Sequence, residues 1–518
     1  MAAATGVPMK IMLVDPPARS DDYDKAYPNL GLLQLVSYLR MHTRLTDDDI
    51  VFLDQFHTIE DHIRTVEQVR PAVYGISFAF LPQHVAYETI NAIKERFPEV
   101  LVIAGGPHPS AAPRDVLERS RADLVAIGEG ETLLAEIVDK LHTGNRDFGN
   151  TPGLMLREND GIRRTGPRAL IEDIDTLPYL AWDRIDFAKF TGQHYCKSDR
   201  QACIVVSRGC PFRCTFCSLP VWRVSKPYVR LRSPENIAGE VDWLYRLGVR
   251  EIKMVSDELN INCTWAKEVC RAIIALGHPD LYFQSNLRAW PIDEELVRLF
   301  RRMNMWLVHL GCESANDRVL EGIQKQATVR QVEDCLTLLA RYNVRTLLFM
   351  MAFNLWEQDG QLRWETPGEA LNSLIWAWKQ FARGRVAYMT WSIATPMPGA
   401  PLYDIVDRHG LDPAGQILRS WDRNKDYPGI NLQAVGVSEF ARLGLMRLGI
   451  VSKACFALAS GGFDWGRNVY RVRILLRSFL GNRRPGRGRR PRPAAPYKRL
   501  EPEVEAQITC RNVSAGEA

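Results

Sequence analysis

Twice along this 518-residue chain, short apolar runs alternate with stretches of helical spacing, and that repeated alternation restricts the fold more than any other feature. In the first block the strand-like runs are KIMLVD (10–15), IVFLD (50–54), VYGISF (73–78), VLVIAGG (100–106) and LVAIGEGE (124–131). Helical spacing fills the gaps, as in LGLLQLVSYLR (30–40) and AYETINAIKERF (86–97). This order predicts an α/β fold with a doubly wound sheet. Ligands of such sheets sit beyond the C-terminal strand ends, where Asp15-Pro16-Pro17, Ser77, Gly105-Gly106 and Gly128-Glu129-Gly130-Glu131 fall. No GxGxxG opens the first helix, which disfavours a nicotinamide cofactor.

A second alternation begins near 202 with ACIVVS (202–207), EIKMVS (251–256), LYFQSN (281–286), WLVHLGCES (306–314), VRTLLFMMAF (344–353) and AYMTWSIAT (387–395). Six such repeats predict a partial (βα)6 barrel of TIM type, whose active site lies at the C-terminal strand ends. The expected boundaries are a first domain over 1–145, a connector with a small hairpin over 146–195, the barrel over 196–430, a helical region over 431–475 and a tail over 476–518.

Charge separates the tail from the rest. The chain carries +5 overall, and residues 467–499 alone hold twelve Lys or Arg and no acid, so the remainder is at −7. The RRPGRGRRPRP core of that tract reads as a disordered, solubilising segment, with nucleic-acid contact a minor alternative. Apolar stretches at 442–451 and 454–460 are interrupted by Arg447 and Lys453, so no membrane span is expected. Met1 to Lys10 lacks the pattern of a secretory leader, and the eleven cysteines are spread out, the first at Cys196. A reducing, cytoplasmic location is expected.

Chemistry concentrates in SRGCPFRCTFCSLP. Cys210, Cys214 and Cys217 form CxxxCxxC directly after the first barrel strand. Three thiolates on one loop can hold three corners of a [4Fe–4S] cluster and leave the fourth iron open. Zinc is the alternative, but a structural zinc closes its shell with four ligands and no partner pair accompanies this triplet. The other cysteines (196, 203, 263, 270, 312, 335, 455 and 510) have no ligand spacing and read mostly as small buried hydrophobes, with Cys312 the one placed to face a pocket.

CxxxCxxC with Phe216 before its last cysteine, following a strand in a βα array, resembles the radical S-adenosylmethionine superfamily. In the first block, PP…NLGLLQLVSYLR, ISF, AGGPHPSAAP and the GEGE segment resemble the Rossmann-like cobalamin-binding domain attached to many of those enzymes, as does the connector DIDTLPYLAWD. The likeness covers roughly 10–430 and is nearest in style to the subgroup of the anaerobic magnesium-protoporphyrin cyclase, hopanoid methylases and antibiotic C- and P-methyltransferases. It implies a [4Fe–4S] cluster on the three cysteines and S-adenosylmethionine chelated to the open iron. It implies cobalamin against Ser77, Gly105 and Gly106; plain sheet-and-turn packing is the alternative reading of these three. No DxHxxG follows the first strand, and His57 and His108 lie at other strand ends, so base-off cobalamin without a histidine ligand is expected.

The same likeness assigns S-adenosylmethionine contacts to Asp257, in MVSDELNIN, to Arg288, and to Glu313 and Ser314 in GCES. A helix cap is the alternative for Asp257, and a structural arginine for Arg288. The family's GxPGE after the fifth strand is missing; Thr366-Pro367-Gly368-Glu369 is a candidate displaced version, beyond an insertion near 354–365. Pro396 to Tyr403 matches PxPGTPLY with Ala400 in place of Thr. Trp356, Trp364, Trp376, Trp378 and Trp391 read more as core than as a substrate platform.

The expected activity is methyl transfer to an unactivated carbon, or a phosphinate phosphorus, of a small metabolite in natural-product or antibiotic biosynthesis, with flavodoxin or ferredoxin as electron donor. A radical cyclase, dehydratase or rearrangement enzyme of the same build is the alternative. RNA methylthiolation is disfavoured because no cysteine precedes Cys196. No catalytic residue is assigned.

Overall fold

The computed structural model describes residues 9–18, 27–80, 82–158, 161–190, 195–412 and 432–460. The expected tail and the end of the helical region lie outside the described residues.

The N-terminal sheet has strands β1 (Ile11–Val14), β2 (Ile50–Leu53), β3 (Val73–Ser77), β4 (Leu101–Gly105), β5 (Leu124–Ala126), β6 (Leu154–Glu158) and β7 (Gly161–Arg164). Their order is β2-β1-β3-β4-β5-β6-β7, with the first five parallel and the last two antiparallel. Helices α1 (Leu30–His42), α2 (Ile59–Val69), α3 (Gln83–Arg96), α4 (Pro107–Ala111), α5 (Pro113–Arg119) and α6 (Glu131–His142) provide the crossovers. The central strands are buried on both faces: Ile11 and Leu13 enter one apolar cluster, Met12 and Val14 the other. The hairpin expected within the connector joins this sheet as β6 and β7, pairing the edge that β5 would otherwise expose.

Strands β8 (Gln201–Val205), β11 (Glu251–Val255), β12 (Tyr282–Leu287), β13 (Met305–Glu313), β14 (Arg345–Ala352) and β17 (Tyr388–Ile393) form a second, wholly parallel sheet in sequential order, the partial barrel. A two-residue ladder pairs β9 (Ser207–Arg208) with β10 (Arg230–Leu231), and β15 (Leu355–Gln358) pairs with β16 (Gln361–Trp364) in the insertion. The helices of this half are α7 (Pro234–Arg246), α8 (Cys263–Ala275), α9 (Glu294–Arg302), α10 (Asp317–Gly322), α11 (Val329–Arg341), α12 (Pro367–Ala382) and α13 (Pro401–Arg408). Ser233, Asn262, Asp293, Thr328 and Thr366 cap α7, α8, α9, α11 and α12, each accepting a backbone N–H of the first turn.

Helix Glu439–Ser460 is long and apolar enough, by length and composition, to cross a membrane. In the fold it packs on the barrel: a Cβ at Gly449 would meet the Trp391 ring at 2.0 Å, and Phe456 stacks on Phe381 at 4.0 Å. Of the five tryptophans singled out above, Trp356, Trp376 and Trp391 are buried in the core, as their spacing suggested.

Candidate active site

The cysteine loop is fixed from three sides. Thr215 N–H donates to Ile323 O at the end of α10 (3.0 Å), Leu402 N–H at the start of α13 donates to Thr215 O (2.7 Å), and Arg223 donates to Cys210 O (2.7 Å). At its entrance Gly209 has φ +86, and a Cβ there would lie 1.7 Å from Tyr228 O, so only glycine allows the turn. The PxPGAPLY element braces the same loop, since a Cβ at Gly399 would sit 2.1 Å from Val221 Cγ2.

Cys210 and Cys214 are buried and Cys217 half-buried. Burial pushes the Cys210 thiol up to about 12 and that of Cys217 to about 11, so their thiolate forms call for nearby metal charge. Among the described residues no three Cys, His, Asp or Glu side chains are grouped to hold a single metal ion. Three thiols on one loop fit three corners of a [4Fe–4S] cluster, whereas a structural zinc takes four ligands.

Around this loop the strand ends assemble four charged side chains. Arg288 is 1% exposed, its guanidinium 3.6 Å over the Phe212 ring, and among the described residues its Nε and Nη2 have no hydrogen-bond partner. An unpaired buried guanidinium is costly unless a planar anion completes it, which fits a carboxylate. Asn260 orients it, accepting from Arg288 N–H (3.0 Å) and donating to Arg288 O (2.8 Å). Glu313 stands at φ +72, a conformation rare for a non-glycine residue, and accepts from Lys325 Nζ at 3.0 Å. Burial alone would lower the Lys325 ammonium, but Glu313 and Glu258 outweigh it and raise it. Burial pushes Glu258 up to about 7 and Asp257 to about 6. Asp257 also accepts the backbone N–H of Gly209, tying the end of β11 to the start of the cysteine loop. Phe216 packs beside Val319 and Ile323, its ring 5.8 Å from Lys325 Nζ.

Arg288, Asp257 and Glu313 thus come together around the loop, whereas Ser314 turns away. Its hydroxyl donates to Glu365 Oε1 (2.8 Å) in a buried network with Ser373, on the far side of the strand from Glu313. Cys312 likewise joins the apolar cluster behind the strand instead of a pocket. Thr366 and Glu369 form the capping box of α12, with Glu369 also paired to Arg318, so this segment serves the helix and is no displaced glycine-rich element. Glu258, Asn260 and Lys325 were missed. Glu258 had a signal, the second acid of Asp257-Glu258. Lys325 had none: it is aimed inward because Gln324 and Gln326 on either side adopt φ +54 and +52.

At the C-terminal edge of the N-terminal sheet, Asn29 spans the switch point between β1 and β3, donating to Asp15 Oδ1 and Ser77 O, each at 3.2 Å. A Cβ at Gly106 (φ +99) would strike Ser77 Oγ at 2.8 Å and Phe78 at 2.9 Å, so packing accounts for that glycine, while Gly105 has only ordinary contact with Ala126. Gly128 (φ +92) faces open space, leaving this edge accessible to a bulky ligand. His108 is buried, bonded to Tyr87 (2.8 Å), and burial lowers it to about 3; His57 is held by Asp54.

The two halves meet beside the cysteine loop. Arg208 pairs with Glu129 (2.8 Å) and Glu131 (2.6 Å), and Arg230 pairs with Glu129 (2.9 Å). The GEGE segment, expected at a ligand edge, therefore clamps that edge to the strand pair from which the loop departs.

Comparison with known proteins agrees with this geometry. Residues 204–359 match the radical SAM superfamily and 22–138 the B12 binding domain. An uncharacterized methyltransferase of Pyrococcus horikoshii is 28% identical over 414 residues, covering 78% of this chain and 84% of the relative. The anaerobic magnesium-protoporphyrin IX monomethyl ester cyclase of Cereibacter sphaeroides is 28% identical over 368 residues; 68% of this chain covers 57% of that one. The radical S-adenosylmethionine methyltransferase TsrM of Kitasatospora setae, solved with cobalamin and a [4Fe-4S] cluster bound, shares the fold at TM-score 0.64 and 16% identity, over 91% of this chain and 99% of that one.

Proposed function

We propose that this chain, a radical S-adenosylmethionine enzyme joining a B12-binding domain to a radical SAM domain, transfers methyl groups to an unactivated carbon or a phosphinate phosphorus of a small metabolite in natural-product biosynthesis. The observation that carries the reading is the clamp of Arg208 and Arg230 on Glu129 and Glu131. It brings the ligand edge of the B12-binding sheet to the loop of Cys210, Cys214 and Cys217, as a reaction using both cofactors requires.

Its cofactors are a [4Fe–4S] cluster, S-adenosylmethionine and cobalamin. When bound, the cluster and S-adenosylmethionine supply reductive generation of a carbon radical, and cobalamin supplies a methyl carrier. The residues present fit them. Cys210, Cys214 and Cys217 would hold three irons. Arg288, with two unpartnered nitrogens, would take the methionine carboxylate, and Asp257 and Glu258 would take its ammonium. Lys325 pairs with Glu313 at the edge of this pocket. Ser77, Gly105 and Gly106 would lie against the corrin or its tail, and the missing DxHxxG supports base-off cobalamin without a histidine ligand. A flavodoxin or ferredoxin would deliver the electron.

The test is anaerobic reconstitution followed by assay of cobalamin retained per chain, 5′-deoxyadenosine and S-adenosylhomocysteine. Retained cobalamin with both products supports methyl transfer. The likeness to the cyclase favours a second reading, radical chemistry without methyl transfer, which yields 5′-deoxyadenosine and no S-adenosylhomocysteine.

A further inference from the structure

Lys253 lies on the lumen side of the barrel strands and, among the described residues, has no counter-ion. Along β11, Ile252 and Met254 are fully buried toward the helices, so Glu251, Lys253 and Val255 alternate to the lumen side. Among the described residues the Lys253 ammonium makes no hydrogen bond or ion pair; the Tyr27 ring lies 5.8 Å from Nζ. Burial lowers its pKa.

Among the described residues no carboxylate pairs with it. Glu251, two residues back, is saturated: Oε1 accepts from Gln284 (2.6 Å) and Trp306 (2.7 Å), and Oε2 from the backbone N–H groups of Lys197 (2.6 Å) and Ser198 (2.9 Å). Cys203, paired with Lys253 across β8, is a neutral thiol that burial pushes up to about 12. His309, on β13, is held neutral by burial, and the Lys253 charge adds to that effect. Its Nε2 meets Gln284 Oε1 (2.9 Å), and its Nδ1 is a buried polar atom without a partner among the described residues. Tyr27 arrives from the N-terminal half, just before α1, and its hydroxyl donates to Gln201 Oε1 (3.4 Å) at the first residue of β8. Lys253 therefore sits where both halves wall the lumen.

We propose that Lys253 is the anion anchor of the substrate site, so that the substrate carries a carboxylate or phosphate group that enters the barrel lumen. The proposal rests on the reading above of a radical enzyme acting on a small metabolite. Arg288 does not compete for the same anion. Lys253 is in register with Gln284, and Arg288 follows the end of β12 four residues later, so the two backbone positions are about 13 Å apart at the usual rise. Two cations so separated serve two anions. A lysine ammonium, a compact point charge with three donors, suits either a carboxylate or a phosphate oxygen.

Amine footprinting tests this on the full chain, reconstituted with its cluster and loaded with cobinamide, which lacks the nucleotide phosphate. Acetylation of Lys253 is followed by mass spectrometry at constant ionic strength, with Lys10 as the exposed control. The probes are inorganic phosphate, acetate and neutral acetamide. The expected result is at least threefold slower labelling of Lys253 with phosphate or acetate, no change with acetamide, and no change at Lys10. Equal labelling with anion and acetamide would overturn the proposal. So would protection by cobalamin alone with no effect of the free anions, which assigns Lys253 to the cofactor's own phosphate. Equilibrium dialysis of radiolabelled phosphate against Lys253→Met and Lys253→Arg gives a second reading: Met should lose the lumen site and Arg should keep it, and retention by Met refutes the anchor. None of these measurements needs turnover, so failure of the methyl-transfer reading, seen as missing S-adenosylhomocysteine, remains a separate result.

Discussion

Lys325 Nζ lies 3.0 Å from Glu313 Oε1, and both side chains are almost wholly buried, the lysine on a loop after α10 and the glutamate in left-handed conformation at the end of β13. The pair sets the charge balance of the pocket, because Glu258 depends on the same ammonium.

Removing the ammonium should be costly. Lys325→Met leaves Glu313 without its partner in a buried site, and breaking such a pair costs about 3–5 kcal/mol. Urea unfolding of the cofactor-free protein measures it; an unchanged midpoint would mean Glu313 finds another donor.

Arg288→Met should separate stability from binding. Replacing an unpaired buried cation by an apolar side chain leaves the cofactor-free protein as stable or more so. Affinity for S-adenosylmethionine should fall at least tenfold, about 1.4 kcal/mol, with iron content retained. Calorimetry on the reconstituted protein decides it, and undiminished affinity removes Arg288 from the site.

Each of Cys210→Ala, Cys214→Ala and Cys217→Ala should lose bound iron and all 5′-deoxyadenosine formation, since two thiolates on one loop do not hold a cubane. Iron analysis and product chromatography check this. A variant still making 5′-deoxyadenosine at the native rate would refute the ligand assignment.

Glu365 gives a pH dependence. Burial pushes it up to about 7 despite the Ser314 hydroxyl and the Asn354 amide, which favour its charged form. Between its ordinary value of 4.5 and about 7 the folded state binds a proton that the unfolded state has released, so this residue makes stability fall as pH rises through that window. The full penalty above pH 7 is roughly 3 kcal/mol. Glu365→Gln should flatten the profile and be the more stable protein at pH 8, by unfolding titrations across pH 4–9.

Arg208 tests the clamp. Arg208→Ala strands Glu131 near the seam and leaves Glu129 with Arg230 alone, and a loss of about 3 kcal/mol is expected for a buried ion pair broken on one side. Limited proteolysis should then cut between the halves sooner than in the native protein. Equal protection would show that apolar packing alone holds them together.

Local pattern determined much of this protein. Strand runs, helix spacing and the CxxxCxxC loop are set by neighbours in sequence, so both alternations, the sequential barrel strands and the three thiols were legible before any coordinates. The order of the first sheet, and the hairpin that joins it as β6 and β7, were seen only in the structure. What each charged side chain meets was decided only by tertiary structure. Ser314 follows Glu313 in sequence, yet strand alternation sends one to the pocket and the other into the Glu365 network. Lys325 comes from a loop with no motif, and Glu129 and Glu131 from a glycine-rich turn that reads equally well as a ligand site; their partners lie 12 and about 80 residues away. A buried charge is placed by whichever opposite charge the fold brings within reach, and that pairing leaves no period in the sequence.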